Sequence, residues 1–459
     1  MVALYRKFLL TSCLIVFLIA LAGAKTLTLD DCIELALKKN EDVIRARNMV
    51  KTADGALWQA AGEFLPSISA SGTASQTHTD RFTQTDSGFA IFAPFTDTAR
   101  IPPDTIAIVP VTDTFEVGGV SKSYSIGASA NLTVFDGGRN VFNYLGARAD
   151  KKYYEFQADA SEQVIIFSVK QFYFSYLKAM EQMKISQEAV KRGEEQYKLA
   201  NSRYEVGSAP KSDVLKAKVQ YGNDKLGLIA AENTLEITKA NLAYLIGLDV
   251  NAEVDFATDF ERREYTGTEA EALDIGLKRH PGLLAAEQGV ASARHTLRSA
   301  YGAYLPTLSV GVSRNWSNPK WSEVAKFRSE DASWSINTTL SVPIFSNFLR
   351  KSNVTRAKVG LNDANASYYY TKNDVALGIK EAYLDIERSR EALNVAGENV
   401  LAAEEDMSLV QEKYNLGAAT ILELLDAQVS LVTAQNSKVE ADFDYNLAVA
   451  RLEKAMGIR

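Results

Sequence analysis

The chain has 459 residues, with 57 acidic and 50 basic side chains, three histidines, two cysteines and a formal charge of −7. That acidity disfavours a nucleic-acid partner, and so few cysteines exclude a disulfide framework. His78, His280 and His295 are scattered and form no catalytic triad or metal spacing, and no phosphate loop appears; the chain is expected to be no enzyme, with no cofactor or metal.

Residues 1–24 read as a secretory signal peptide. Arg6 and Lys7 are its positive region, Phe8 to Leu21 its apolar run, and Ala22-Gly23-Ala24 its small-residue cleavage site. Leu10-Thr11-Ser12-Cys13 fits a lipid-attachment site less well, because Cys13 lies inside the apolar run. The mature chain is expected to start near Lys25 and to keep one thiol, Cys32, buried on an apolar helix face. After residue 24 no apolar stretch is long enough for a transmembrane helix.

A first repeat spans 25–248. It opens with a helix over 30–63, closed by Leu65-Pro66. Strands follow over 67–77 and 123–134, separated by a long outer loop, 79–120, in which Phe92, Phe95, Ile106 and Ile108 are expected to pack together. A proline-free helix over 139–204 and a return helix over 213–246 complete it. An acidic linker, 249–267, leads to a second repeat, 268–459. There the order recurs: helix 269–303, strands 307–316 and 333–344 around a short loop 317–331, helix 349–414 and return helix 423–456.

The duplication is visible in the residues. At an offset of 240, Leu37, Ala46, Val50, Leu57 and Pro66 meet Leu277, Ala286, Val290, Leu297 and Pro306. At an offset of 210, Tyr173, Tyr204, Gly207, Leu215 and Gly247 meet Tyr383, Tyr414, Gly417, Leu425 and Gly457. The smaller second offset places the extra residues in the first outer loop.

All four strands alternate hydroxyl-rich and apolar faces. In the second, Ser123, Ser125, Ser129, Asn131 and Thr133 oppose Tyr124, Ile126, Ala128, Ala130, Leu132 and Val134. Each run has the length of a tilted membrane strand, roughly 9–11 residues. Tyr124, Trp316 and Trp334 stand where an interfacial aromatic girdle belongs. The fold class expected is mainly α with a membrane β-barrel: four strands per chain plus long coiled-coil helices. Four strands cannot close, and open edges in lipid leave backbone groups unpaired. Other copies must complete the barrel; two would give eight strands and three would give twelve.

The long helices carry a coiled-coil seam rich in alanine: Ile379, Ala382, Ile386, Leu393, Ala396, Val400, Met407, Tyr414, continued by Leu424, Ala427, Leu431, Ala441, Tyr445 and Leu452. Gly207 and Gly417 fit the left-handed position after a helix. Thr420 and Glu423 form a capping-box pattern.

On Leu27-Thr28-Leu29-Asp30-Asp31, the Leu-Pro-Ser and Leu-Pro-Thr switches, Val134-Phe135-Asp136-Gly137-Gly138, Arg203-Tyr204-Glu205-Val206-Gly207 and Lys413-Tyr414-Asn415-Leu416-Gly417, the chain resembles the TolC-type outer-membrane efflux proteins. The resemblance covers nearly all of the mature chain. It implies a homotrimer with a twelve-stranded barrel in the Gram-negative outer membrane and a long periplasmic helical tunnel. Such a duct serves tripartite efflux or type I secretion, with a periplasmic adaptor protein and an inner-membrane transporter as partners. It further implies that Val206, Gly207, Ser208, Leu416, Gly417 and Ala418 dock the adaptor. Glu423 and Asp426 would form an acidic ring at the tunnel entrance. Asp213 and Tyr414 would form an entrance latch. The family's latch arginine is Ala419 here, so Lys216 or Lys211 is expected to supply a substitute ion pair. The chain stops at Arg459 without the tail of longer members, which implies a thinner belt. A periplasmic coiled-coil scaffold is the alternative; it explains the seams and leaves the two-faced strands unexplained.

Overall fold

A computed structural model describes residues 26–92, 107–251, 254–258 and 264–458. The expected signal segment with Cys13 lies outside these residues, as do Phe95 and Ile106 and the side chains of Phe92 and Ile108. The chain divides into two compact units: Met1–Trp58 with Asn143–Leu297 and Val354–Arg459, and Gln59–Phe142 with Arg298–Asn353.

The second unit holds one antiparallel sheet in the order β1 (Ser67–Phe92), β2 (Ala107–Phe135), β3 (Thr307–Asn318), β4 (Ala332–Ser341). Its register keeps the two faces apart across every strand. Ser69, Ser129, Ser313 and Ser335 form one continuous row, with Oγ–Oγ distances of 2.9 Å for the first pair and 3.0 Å for the last. The adjacent row on the other face is Ile68, Ala130, Val312 and Ile336. A slip of one residue would invert a whole strand, so the alternation itself holds the register.

Three of the strands are longer than the sequence reading, β3 by only two residues, to Asn318, and β1 and β2 by far more. Most of 79–120 is paired backbone: β1 runs on to Phe92 and β2 starts at Ala107, in register apart from an irregularity between Thr79 and Phe82. Pro110 and the aspartates of this stretch pointed to a loop. Here β2 pairs β1 alone, because β3 meets it only from Tyr124 to Phe135, and a free strand edge tolerates proline. β4 ends at Ser341 rather than 344, ahead of Pro343.

Besides a single turn at Trp321–Val324 and a 3-10 turn at Ser329–Asp331 in the β3–β4 loop, the helices described are α1 (Leu29–Lys39), α2 (Glu41–Gly62), α3 (Arg139–Glu205), α4 (Lys211–Leu245), α5 (Glu269–Arg279), α6 (Pro281–Gly302), α7 (Leu349–Asn415) and α8 (Ile421–Met456). The helices expected to be continuous over 30–63 and 269–303 are each broken once, at Asn40 and His280, where ψ is 134° and 117°. Pro281 pushes its predecessor out of the helical region. Asn40 breaks the equivalent helix by accepting the Asp42 amide on its side-chain oxygen at 2.9 Å. Thr28 and Thr268 open α1 and α5 with full capping boxes. α3 and α7 have 67 residues each, or about 100 Å at 1.5 Å per residue. Among the described residues no helix is long and apolar enough to cross a membrane.

Two apolar clusters organise the helical unit. One gathers Cys32, Ala36, Val169, Tyr173, Leu177, Leu242 and Ile246 around Phe256. Phe256 belongs to the linker, which is tied down on both sides: Leu27 N–H donates to Asp255 O at 2.9 Å, and Ala257 N–H donates to Leu27 O at 2.8 Å. The Tyr173 hydroxyl adds a bond to Ala257 O at 2.5 Å. Burial, with Asp31 adding to it, pushes the Cys32 thiol up to about 12. The other cluster packs Ile379, Ala382 and Ile386 of α7 against Tyr445, Ala448 and Leu452 of α8, the seam read from the sequence.

Candidate functional site: the hairpin tips

Each long helix reaches its return helix through the same turn. Gly207 has φ 76° and Gly417 φ 78°, a region that L side chains rarely adopt. Gly207 N–H donates to Tyr204 O at 2.9 Å and Ser208 N–H to Arg203 O at 2.8 Å. Gly417 N–H donates to Tyr414 O at 3.1 Å and Ala418 N–H to Lys413 O at 2.8 Å. These paired bonds satisfy the last helical carbonyls and reverse the chain. They leave Val206, Gly207, Ser208, Leu416, Gly417 and Ala418 exposed. Val206 is 78% and Leu416 85% exposed, so each tip carries one apolar knob.

The second tip is the better packed. Tyr414 is buried with Ile421, Leu424 and Leu425, against Leu199, Met407 and Val410. Thr420 and Glu423 cap α8 reciprocally: Thr420 N–H donates to the Glu423 carboxylate at 2.7 Å, and Glu423 N–H to Thr420 Oγ1 at 3.3 Å. Glu423 and Asp426 are exposed on one helix face, between the buried Leu424, Leu425 and Ala427. The cap and the exposed acidic face are therefore compatible.

Of the expected latch, the single chain assembles only part. Asp213 accepts a bond from the Ser212 hydroxyl at 3.3 Å, and among the described residues no hydrogen bond joins it to the Tyr414 phenol. Lys211 and Lys216 are exposed and form no ion pair with Asp213. The cation at Tyr414 is Arg203, which the sequence reading missed. Its Nη1 donates to Tyr414 O at 3.0 Å and its Nη2 to Asn415 O at 3.3 Å. Its guanidinium lies 4.4 Å from the centroid of the Tyr414 ring. Arg203 thus caps the carboxyl end of α7 from the neighbouring hairpin and stacks on its last aromatic. A basic residue in the last turn of α3 was a signal, but that signal points to the helix's own end.

Arg203 is the lowest of a series of contacts from α3 to the second hairpin. Lys170 donates to Glu453 at 2.5 Å, Lys178 to Glu440 at 2.7 Å, and Gln196 to Gln411 at 2.6 Å. Between them lies a buried polar layer. Gln428, 1% exposed, directs its amide at Ala189 O and the Asp224 carboxylate, both at 3.5 Å, and Gln220 donates to Asp224 at 2.8 Å. Gly193 makes room: a Cβ there would stand 2.3 Å from Asp224 Oδ2. Burial raises the Asp224 carboxyl above its ordinary value, against the opposing influence of Gln220 and Arg192. Ion pairs therefore hold the upper part of α3, and neutral bonds plus one arginine hold its tip. Among the described residues no cluster of His, Cys, Asp or Glu could hold a metal ion.

The chain matches the outer membrane efflux protein family over residues 32–248 and 272–458, stretches that begin 240 residues apart and end 210 apart. It is 22% identical to outer membrane efflux protein BepC of Brucella suis biovar 1 over 334 residues, 72% of either chain. It is 24% identical to outer membrane protein TolC of Escherichia coli over 310 residues, 64% of this chain and 62% of that one, so the alignment spans under two thirds of that relative. The crystal structure of the Campylobacter jejuni CmeC outer membrane channel shares the fold, with a TM-score of 0.77 over 94% of this chain and 85% of that one at 19% identity. These similar proteins are outer-membrane efflux and channel proteins rather than enzymes. With the family matched over most of its length, the chain belongs to the outer membrane efflux protein family and is a protein of the outer membrane.

Proposed function

We propose that three copies of this chain close their sheets into one twelve-stranded barrel, and that the resulting channel is the exit duct of a tripartite efflux or type I secretion system. The observation that carries this reading is the sheet. It has a hydroxyl face and an apolar face in register across four strands, and β1 and β4 each pair on one side only. In lipid those free edges must be covered. The periplasmic scaffold remains the weaker reading, because a scaffold has no use for such a sheet. Small molecules, drugs or secreted polypeptides would leave through the lumen. A periplasmic adaptor would seat on the tip residues Val206, Gly207, Ser208, Leu416, Gly417 and Ala418, and an inner-membrane transporter would supply the energy.

At the entrance, Glu423 and Asp426 repeat with the symmetry of the assembly and favour cations. Asp213, Tyr414 and Lys216 remain the candidates for latch contacts between copies. Within one copy Arg203 holds the second tip to the first hairpin, so it is the cation that stands in for the arginine absent at Ala419. The test is single-channel recording on detergent-purified protein in planar bilayers. The expected result is a trimer whose small conductance rises several-fold in Arg203→Ala and whose cation preference falls in Glu423→Gln/Asp426→Asn. Tyr414→Phe, which keeps the ring, should stay closed if Arg203 acts through the ring and the carbonyls. An increase in Tyr414→Phe with none in Arg203→Ala would return the latch to the phenol and Asp213. A water-soluble monomer that forms no channels would end the duct reading.

A further inference from the structure

We propose that Arg314 is a binding site for a phosphorylated lipid headgroup of the outer leaflet. Its register partners place it on the apolar face. It lies between Ala128 of β2 and Trp334 of β4, one row beyond Val312, on the face that also carries Ile68, Ala130 and Ile336. It is exposed, and among the described residues no carboxylate pairs with it and no oxygen accepts from it. Its one described contact is aromatic: the guanidinium lies 4.7 Å from the centroid of the Trp316 ring. Trp316 is one row nearer the strand end, so the charge leans outward. By contrast, the basic residues of the β3–β4 loop have acidic neighbours: Lys326 and Arg328 both reach Glu323, at 2.8 and 3.4 Å.

The depth of this arginine follows from β2. Its apolar face runs from Val134 to Tyr124, ten residues, or about 33 Å along the strand and about 25 Å along the membrane normal at a tilt of about 40°. That matches the apolar band of an outer-membrane barrel, and the next residue on the face is charged, Lys122. Tyr124 and Trp321, with ring centroids 6.1 Å apart, and Trp316 and Phe327, 5.3 Å apart, mark the same boundary. Arg314 pairs with Ala128, four residues inside Tyr124, so it lies one row inside Trp316 and about 10 Å inside the aromatic boundary along the membrane normal, toward the end of β3 farther from α6. A cation on the lipid face is costly toward the midplane, so the long stem of Arg314 has to carry its charge outward past Trp316 to the headgroups. Five unused donors in a planar fork suit a phosphate better than any other group found at that level. Trp316 holds the fork in place, and Trp334 stands beside it on the neighbouring strand.

The test compares the heat-induced loss of the trimer in vesicles of phosphatidylcholine alone, phosphatidylcholine with lipid A, and phosphatidylcholine with inorganic phosphate. Lipid A is expected to raise the midpoint of the wild-type protein by several degrees, and inorganic phosphate to leave it unchanged. Arg314→Gln is expected to lose most of that shift and Arg314→Lys to keep a reduced one. Lys122→Gln, beyond the belt, is expected to keep it. Equal shifts in the wild-type and Arg314→Gln proteins would overturn the proposal, as would a full shift with inorganic phosphate alone. Should Arg314→Gln fail to assemble, the Lys variant and the tryptophan emission of the wild-type protein decide: emission unchanged by lipid A, with a full shift in Arg314→Lys, would also overturn it.

Discussion

The two return helices answer to one plan and are used in opposite ways. α4 and α8 have 35 and 36 residues and follow the same left-handed glycine turn. α8 buries Leu424, Ala427, Leu431, Ala441, Tyr445, Ala448 and Leu452 inside its own chain. α4 buries only Val214, Ala217, Leu242 and Ala243, and exposes Leu215, Val219, Leu226, Ile229, Ile237 and Tyr244. Those exposed residues recur at coiled-coil spacing, so α4 carries an apolar seam that no described residue covers. The second hairpin keeps its return helix inside the protomer, and in the proposed trimer the exposed seam of the first would meet a neighbouring copy.

The largest expected effect breaks this contrast directly. Leu226→Asp should leave the protomer folded, because the residue is 67% exposed in the single chain, yet abolish the trimer band on a semi-native gel. Leu431→Asp, 6% exposed, should unfold the helical unit itself, seen as lost helical circular dichroism. A trimer that survives Leu226→Asp would mean that the α4 seam is not an assembly surface.

A smaller effect separates the helix starts. Thr420→Ala removes a capping box and should cost about 1 kcal/mol in denaturant unfolding. α4 has Pro210 as its N-cap, with no side-chain cap bond, so Pro210→Ala should cost only about 0.4 kcal/mol by the same measure. Equal costs at the two positions would remove the asymmetry between the tips.

The third expectation concerns the layer where the two helices meet. The native state holds a proton on the half-buried Asp224 more tightly than the unfolded chain does. Stability should therefore fall as pH rises from the ordinary aspartate value through the raised native one. Asp224→Asn should flatten that slope in pH-dependent melts; an unchanged slope would assign it to other groups. Least of all, Cys32 should resist a thiol reagent at neutral pH in the folded protein and react after denaturation, because burial holds its thiol up to about 12.

Much of this was legible in the residues. Period-two alternation marked all four strands, because a sheet with two different environments must alternate. The 240 and 210 offsets exposed the repeat, and proline-free seams set the 67-residue helices to within a few residues. The break at His280 was legible in Pro281 and was passed over for the continuous apolar period, whereas the break at Asn40 has no proline to mark it. The paired ribbon within 79–120 was hidden because proline and aspartate describe a free strand edge as well as a loop.

The sequence by itself determined the elements, the repeat and the faces of the strands, because these depend on local periodicity and on glycine and threonine chemistry at helix ends. Only the tertiary structure decided what those elements touch. Arg203 reads as the last turn of α3, yet it caps α7, which lies 211 residues further along the chain. Alternation alone puts Arg314 on the face of Val312 and Trp316, yet only the register shows that Ala128 and Trp334 flank it. Neither the Arg203 cap nor the cross-strand neighbours of Arg314 leave a trace in local pattern, because each depends on segments that meet only after the chain has folded.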